Sequence, residues 1–150
     1  MKKLCLVSAA GGHLTQLLQL SDLWEKYSSF YVTEKKEITE DLPRKYKTYF
    51  IKDPLRNPFY LLMNFIQCFF IFLKEKPKII ITTGGGIGLP MCYIGKFLGR
   101  NVIFIESFSR VEHPSITGRL LYPIADLFLV QWRSLLKKYG NKARYGGKVF

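Results

Sequence analysis

Residues 4–14 read Leu-Cys-Leu-Val-Ser-Ala-Ala-Gly-Gly-His-Leu, and the fold follows from how that stretch is parsed. Residues 4–9 are a short apolar run closed by Gly11-Gly12, the pattern of a buried strand. Behind the glycines, Leu14, Leu17, Leu18 and Trp24 return at helical spacing, so a helix is predicted over 14–27. Glycines between a strand and a helix let the backbone approach a ligand, and a helix start offers N–H groups and a positive dipole end. An anionic group is the natural guest. His13 falls in the first turn of that helix. It is a candidate general base for a hydroxyl; the alternative is a tight turn whose histidine only caps the helix.

Outward from this turn the alternation continues. Strands are predicted at 30–33, 49–51, 79–81, 102–105 and 127–130, with weak strand character over 143–150. Helices are predicted at 59–73, from the residues after Gly86 to Gly99, and near 116–124, and the charged stretch 34–47 reads as a loop or short exposed helix. Strand and helix in turn mean right-handed crossovers and a parallel sheet with helices on both faces. The expectation is one Rossmann-like α/β domain spanning 1–150. Ligands of such sheets sit beyond the carboxyl ends of the strands, which gathers residues 10–13, 83–88 and 106–115 on one rim.

Two further rim segments are candidates. Thr82-Thr83-Gly84-Gly85-Gly86-Ile87-Gly88 joins a strand to a helix and is a second possible phosphate cradle. Glu106, twenty residues past Gly86, imitates a nucleotide-ribose fingerprint, but the glycines follow the fourth strand and lack the G-x-G-x-x-G spacing. Close packing of Gly86 and Gly88 against a neighbouring strand is the plain alternative. Glu106, Ser107, Ser109 and Arg110, with His113, Ser115 and Thr117 behind them, suit hydrogen bonding to sugar hydroxyls and charge pairing with phosphate. Here the alternative is loop chemistry, with Ser115 capping the next helix.

The chain carries a net charge of +12, and no acidic residue follows Asp126. Such a balance points to an anionic partner. A membrane surface is preferred over nucleic acid because of residues 59–73. Only Asn64 and Gln67, expected on one helical face, interrupt that apolar run. It would span ~22 Å, short of the ~30 Å hydrocarbon core, so it reads as a buried core helix or as one lying in the bilayer interface. The interfacial reading is favoured, with Phe59, Phe65, Phe69 and Phe72 in contact with lipid and nearby lysines and arginines at the headgroups. Cys5, Cys68 and Cys92 sit in apolar segments without metal-ligand spacing, so no metal is expected and a reduced, intracellular protein is. The N-terminal apolar run is too short for a signal peptide.

Four blocks together carry a resemblance: residues 8–14, Thr83-Gly84-Gly85-Gly86, residues 105–110, and residues 120–132, the last being the most specific. The chain resembles the asparagine-linked-glycosylation fourteen-like family, including bacterial PssD-type capsule and exopolysaccharide proteins. The resemblance implies the N-terminal, acceptor-side half of a GT-B glycosyltransferase, working at the cytoplasmic face of a membrane. A separate small donor-binding glycosyltransferase subunit would hold the UDP-sugar, and a polyprenyl-pyrophosphate-linked saccharide would be the acceptor. No cofactor and no nucleic acid are implied. By position, His13 would be the base or an acceptor contact, and Gly11, Gly12, Gly84, Gly85 and Gly86 would approach the acceptor's phosphates. Glu106, Ser107 and Arg110 would shape the acceptor rim. The C-terminal 145–150 segment is a candidate docking edge. A non-catalytic scaffold that anchors and stimulates its partner is the alternative role.

Overall fold

In the computed structural model, which describes residues 2–149, seven strands form one sheet, and all six pairings are parallel. The strands are β1 (Lys3–Ser8), β2 (Ser28–Thr33), β3 (Thr48–Phe50), β4 (Ile79–Gly84), β5 (Asn101–Ile105), β6 (Leu127–Val130) and β7 (Ala143–Tyr145). Their order is β3-β2-β1-β4-β5-β6-β7. The chain reverses direction across the sheet between β1 and β4, so the loops leaving those two strands flank the switch point where α/β sheets hold ligands.

The predicted 14–27 helix is two helices, α1 (Gly12–Gln19) and α2 (Ser21–Trp24), because Leu20 leaves helical geometry. The charged stretch holds a 3-10 turn at Glu37–Thr39 and α3 (Leu42–Lys45). The apolar run is α4 (Pro58–Glu75), longer than predicted at both ends. Asn57 caps it by accepting from the Phe59 N–H at 2.9 Å, Pro58 opens it, and Lys76 in the left-handed region ends it before Pro77. Then come α5 (Gly88–Phe97), α6 (Ile116–Leu121) and α7 (Ser134–Tyr139). The sequence reading missed α7, which anchors itself on buried Leu135. The predicted 143–150 strand is confined to β7, and Phe150 lies outside the described residues.

Side chains alternate along the strands into two cores. Cys5, Val7, Ile80, Val102, Phe104 and Phe128 pack beneath α4 to α7. Leu4, Leu6, Ile81 and Ile105 pack beneath α1 to α3, through Leu14, Leu17, Trp24 and Leu42. Cys5, Cys68 and Cys92 are free and buried in the first core; burial pushes all three thiols up, Cys68 to about 12. At the end of the sheet opposite the ligand rim, Glu75 is buried and receives Lys3 at 3.1 Å, Lys47 at 2.6 Å and the Tyr49 hydroxyl.

The faces of α4 differ from the sequence reading. Asn64, Cys68, Phe72 and Glu75 form one buried stripe, so Asn64 and the exposed Gln67 do not share a face. Phe72 is 3% exposed and belongs to the core, which removes it from the candidate membrane contacts. Phe59 and Phe69 are exposed and Phe65 is half-buried; Leu62, Ile66, Phe70 and Leu73 extend that outward face. No helix among the described residues is long and apolar enough to cross a membrane.

Candidate functional site

The rim is built from three loops that hold one another. The Ala9 N–H donates to the Gly84 carbonyl at 3.2 Å, and the Leu14 N–H donates to the Ala9 carbonyl at 3.1 Å. Gly11 takes φ +98°, Gly84 +117° and Gly85 +87°, a region that side chains disfavour. A Cβ on Gly85 would also overlap the Ala9 side chain, so close approach of the two loops requires glycine there. A Cβ on Gly88 would lie 2.8 Å from Thr82 Oγ1 of β4, so close packing against a strand holds for Gly88, whereas Gly86 meets only Pro54 at 3.3 Å and lines the cleft.

His13 is fixed by Thr83. Its Nδ1 lies 2.9 Å from the Thr83 carbonyl oxygen, and Thr83 Oγ1 donates back to the His13 carbonyl at 2.7 Å. A carbonyl only accepts, so Nδ1 carries a hydrogen, and in the neutral ring Nε2 is the nitrogen left with a lone pair. The ring stacks over Gly84, where a Cβ would come within 3.1 Å of it.

Glu106 shapes the rim from beneath. It is 1% exposed, and its Oε1 accepts from the Ser107 N–H at 3.0 Å. Oε2 accepts from the Ser115 N–H at 3.1 Å, the Ser115 hydroxyl at 3.0 Å and the Tyr139 hydroxyl. Burial, and the bond to this carboxylate, push the Tyr139 phenol well up. With both oxygens engaged inside the chain, the Glu106 carboxylate does not line the cleft. Ser107 is also buried, pairing with Ser109 Oγ at 3.0 Å and receiving Gln16 at 3.3 Å. Ser115 caps α6, accepting from the Gly118 N–H at 2.9 Å.

A cleft of about 380 Å³ opens between the loops. His13, Gly85, Gly86, Arg110, Ser115 and Thr117 line it, while Gly12 points to solvent and Gly84 is buried under the imidazole. The segment leading into α4 adds Arg56 and Asn57, α4 itself adds Leu61, and α5 adds Leu89. The sequence reading missed the α4 side of this wall. Its signal was present: Pro54 and Pro58 punctuate the exit of β3, which ends on the same rim. The lining holds two arginines and, among the described residues, no carboxylate, which suits an anionic guest.

The parallel sheet, with helices on both faces and a cleft at its switch point, is a Rossmann-like fold of the kind that also makes up one half of GT-B glycosyltransferases. Solved structures agree: the chain superposes on Acinetobacter baumannii MurG with a TM-score of 0.74 at 15% identity, covering 89% of this chain and 43% of that one. It superposes on Staphylococcus aureus MnaA with a TM-score of 0.72 at 13% identity, covering 99% and 44%. The particular family is given by a family profile described as "Oligosaccharide biosynthesis protein Alg14 like", which matches residues 44–149, and the chain belongs to that family. It is 38% identical over 91 residues to the "UDP-N-acetylglucosamine transferase subunit ALG14" of Candida albicans, covering 57% of this chain and 42% of the relative. It is 27% identical over 180 aligned residues to the mouse protein of the same description, covering 98% and 82%. The chain thus spans less than half the length of the Candida relative.

Proposed function

We propose that the chain is the acceptor-binding, membrane-contacting subunit of a two-chain UDP-sugar glycosyltransferase. The observation that carries this reading is the arginine-bearing cleft with an oriented His13, set on a chain that matches only one half of MurG. The acceptor is a lipid-linked saccharide, its phosphates lying against Gly85, Gly86, Arg56 and Arg110. The donor sits mainly on the partner; UDP-N-acetylglucosamine is the first donor to try, because the relatives' name specifies it. In the reaction an acceptor hydroxyl oxygen bonds to the anomeric carbon as the carbon–oxygen bond to UDP breaks. The hydroxyl proton passes to Nε2 of His13. The transfer inverts the anomeric centre.

The outward face of α4, with Phe59, Phe65 and Phe69, supports peripheral attachment at the cytoplasmic face of the membrane, assisted by Lys52, Arg56, Lys74 and Lys78. A setting in capsular or exopolysaccharide synthesis is supported by the resemblance of the sequence blocks to PssD-type proteins. The test is UDP-sugar transfer to a lipid-linked acceptor by this chain, by the donor-binding chain, and by both together. Transfer by the pair alone is expected; full turnover by this chain alone overturns the split-enzyme reading. The inward-turned Glu106 and Ser107 favour a second reading, a scaffold without chemistry of its own, and that reading requires a His13→Ala complex to keep wild-type turnover.

A further inference from the structure

α4 and α5 each carry the chain back from the ligand rim, so they run side by side in the same direction and pack along one seam. On α4, Leu61, Phe65 and Phe69 recur at every fourth position, and on α5 so do Leu89, Tyr93 and Phe97; residues at that spacing share one helix edge. The first of each series, Leu61 and Leu89, lines the arginine-bearing cleft. The other four, with Ile94 and Leu98, line a second hollow, a groove of about 350 Å³. Cleft and groove therefore follow one another along a single seam. The step from Leu61 to Phe69 covers ~12 Å of helix.

The lining changes character along that path. At the cleft end, Arg56 and Arg110 supply positive charge, while Pro58, Leu61 and Leu89 form an apolar wall. Among the described residues no charged side chain lines the groove, and its one polar side-chain group, the Tyr93 hydroxyl, is engaged in donating to the Leu120 carbonyl at 2.7 Å. The rings at its far end stand open: Phe97 is 90% exposed and Phe69 44%. Such a surface costs free energy in water until hydrocarbon covers it. The outward ridge of α4, with Leu62, Ile66 and Phe70, is free to rest on a bilayer. The seam is recessed between two packed helices, a space suited to a single extended chain. An anion site that opens directly into an apolar groove describes a ligand with a charged head and a hydrocarbon tail.

We propose that the α4–α5 groove holds the first part of the acceptor's hydrocarbon chain, with the acceptor's phosphates in the cleft. The proposal builds on the lipid-linked-acceptor reading above. The test is calorimetric titration of this chain, without membrane or detergent, with three probes that share one head: inorganic pyrophosphate, geranyl diphosphate and farnesyl diphosphate. Binding is expected to tighten in that order. Farnesyl diphosphate should bind at least ~10-fold more tightly than pyrophosphate, since each buried methylene is worth roughly fourfold. Phe69→Ser with Phe97→Ser is expected to remove that gain at an unchanged melting temperature, and Phe97→Ser alone, at the more exposed ring, to reduce it. Arg110→Gln is expected to weaken all three probes alike. Farnesyl diphosphate binding no more tightly than pyrophosphate overturns the groove and leaves the phosphate cleft standing. No binding of any of the three overturns both the groove and the acceptor reading. A farnesyl gain that survives Phe69→Ser with Phe97→Ser, or that Phe59→Ser with Phe70→Ser removes equally, puts the tail elsewhere and overturns the proposal.

Discussion

His13 and Thr83 hold each other twice, side chain to backbone in both directions, at 2.9 and 2.7 Å. The pair joins the loop after β1 to the loop after β4 and sets which imidazole nitrogen is free. His13→Ala in the assembled enzyme is expected to lower kcat by ~10²–10⁴-fold, the usual contribution of a positioned base. Thr83→Val keeps the carbonyl but loses the return bond, and a loss of ~2–10-fold is expected, that of one ordinary hydrogen bond. Steady-state kinetics with a lipid-linked acceptor measure both. Equal, large losses for the two variants would show that the clamp, not the base, is what matters.

Gly85→Ala is expected to destabilise the chain by ~1–3 kcal/mol, since the new methyl meets Ala9 in a backbone conformation that alanine disfavours. Gly12→Ala, with nothing within 4 Å and an ordinary φ, is expected to change stability by less than ~1 kcal/mol. Urea denaturation midpoints distinguish the two, and similar shifts would refute the packing account of the glycines.

Glu106→Gln replaces one acceptor oxygen with a donor among groups that already donate: Ser107 N, Ser115 N, Ser115 Oγ and Tyr139 OH. A stability loss of ~1–3 kcal/mol is expected, that of a buried polar group left mispaired. Tyr139→Phe removes a single donor and is expected to cost less. Chemical denaturation of the two variants orders them, and a neutral Glu106→Gln would return Glu106 to the role of a free ligand contact.

Burial pushes the Glu75 carboxyl up, but hydrogen bonds from Lys47, Tyr49 and Lys3 outweigh it and bring the group from an ordinary 4.5 down to about 2. A carboxyl depressed on folding stabilises above its unfolded value and loses that contribution as pH falls through the folded one. Stability is therefore expected to drop by ~3 kcal/mol between about pH 4.5 and 2, at ~1.4 kcal/mol per pKa unit. In Glu75→Gln that part of the acid dependence should vanish. Unfolding free energies measured across this window test the assignment.

On α4, Phe59→Ser with Phe70→Ser is expected to reduce flotation with anionic vesicles without altering the melting temperature, because both rings face outward. Phe72→Ala is expected to cost ~3–5 kcal/mol of stability instead. Flotation that survives the double serine variant would remove α4 from the membrane.

The fold was legible because each strand is a short apolar run ended by a turn signal, as at residues 79–81 before the triple glycine. The three loops of the rim were legible too, since strand order in an α/β chain dictates which ends meet. What sequence could not show was side-chain direction. Glu106 and Arg110 stand four residues apart in one polar segment, yet one turns into a hydrogen-bonded cage and the other into the cleft. Phe72 and Phe70 are chemically identical, and only the angle around α4 divides core from surface. The break at Leu20 and the short α7 were missed for a related reason: six or eight residues carry too few apolar repeats to fix a period.

Cys5, Cys68 and Cys92 come from β1, α4 and α5 and meet in the core beneath α4. Only thiolates react, and burial holds all three groups in the protonated form. The native chain should therefore ignore alkylating reagents until its layers part. The rate at which iodoacetamide consumes the thiols then becomes a built-in clock for opening of the domain, readable by mass without any engineered probe.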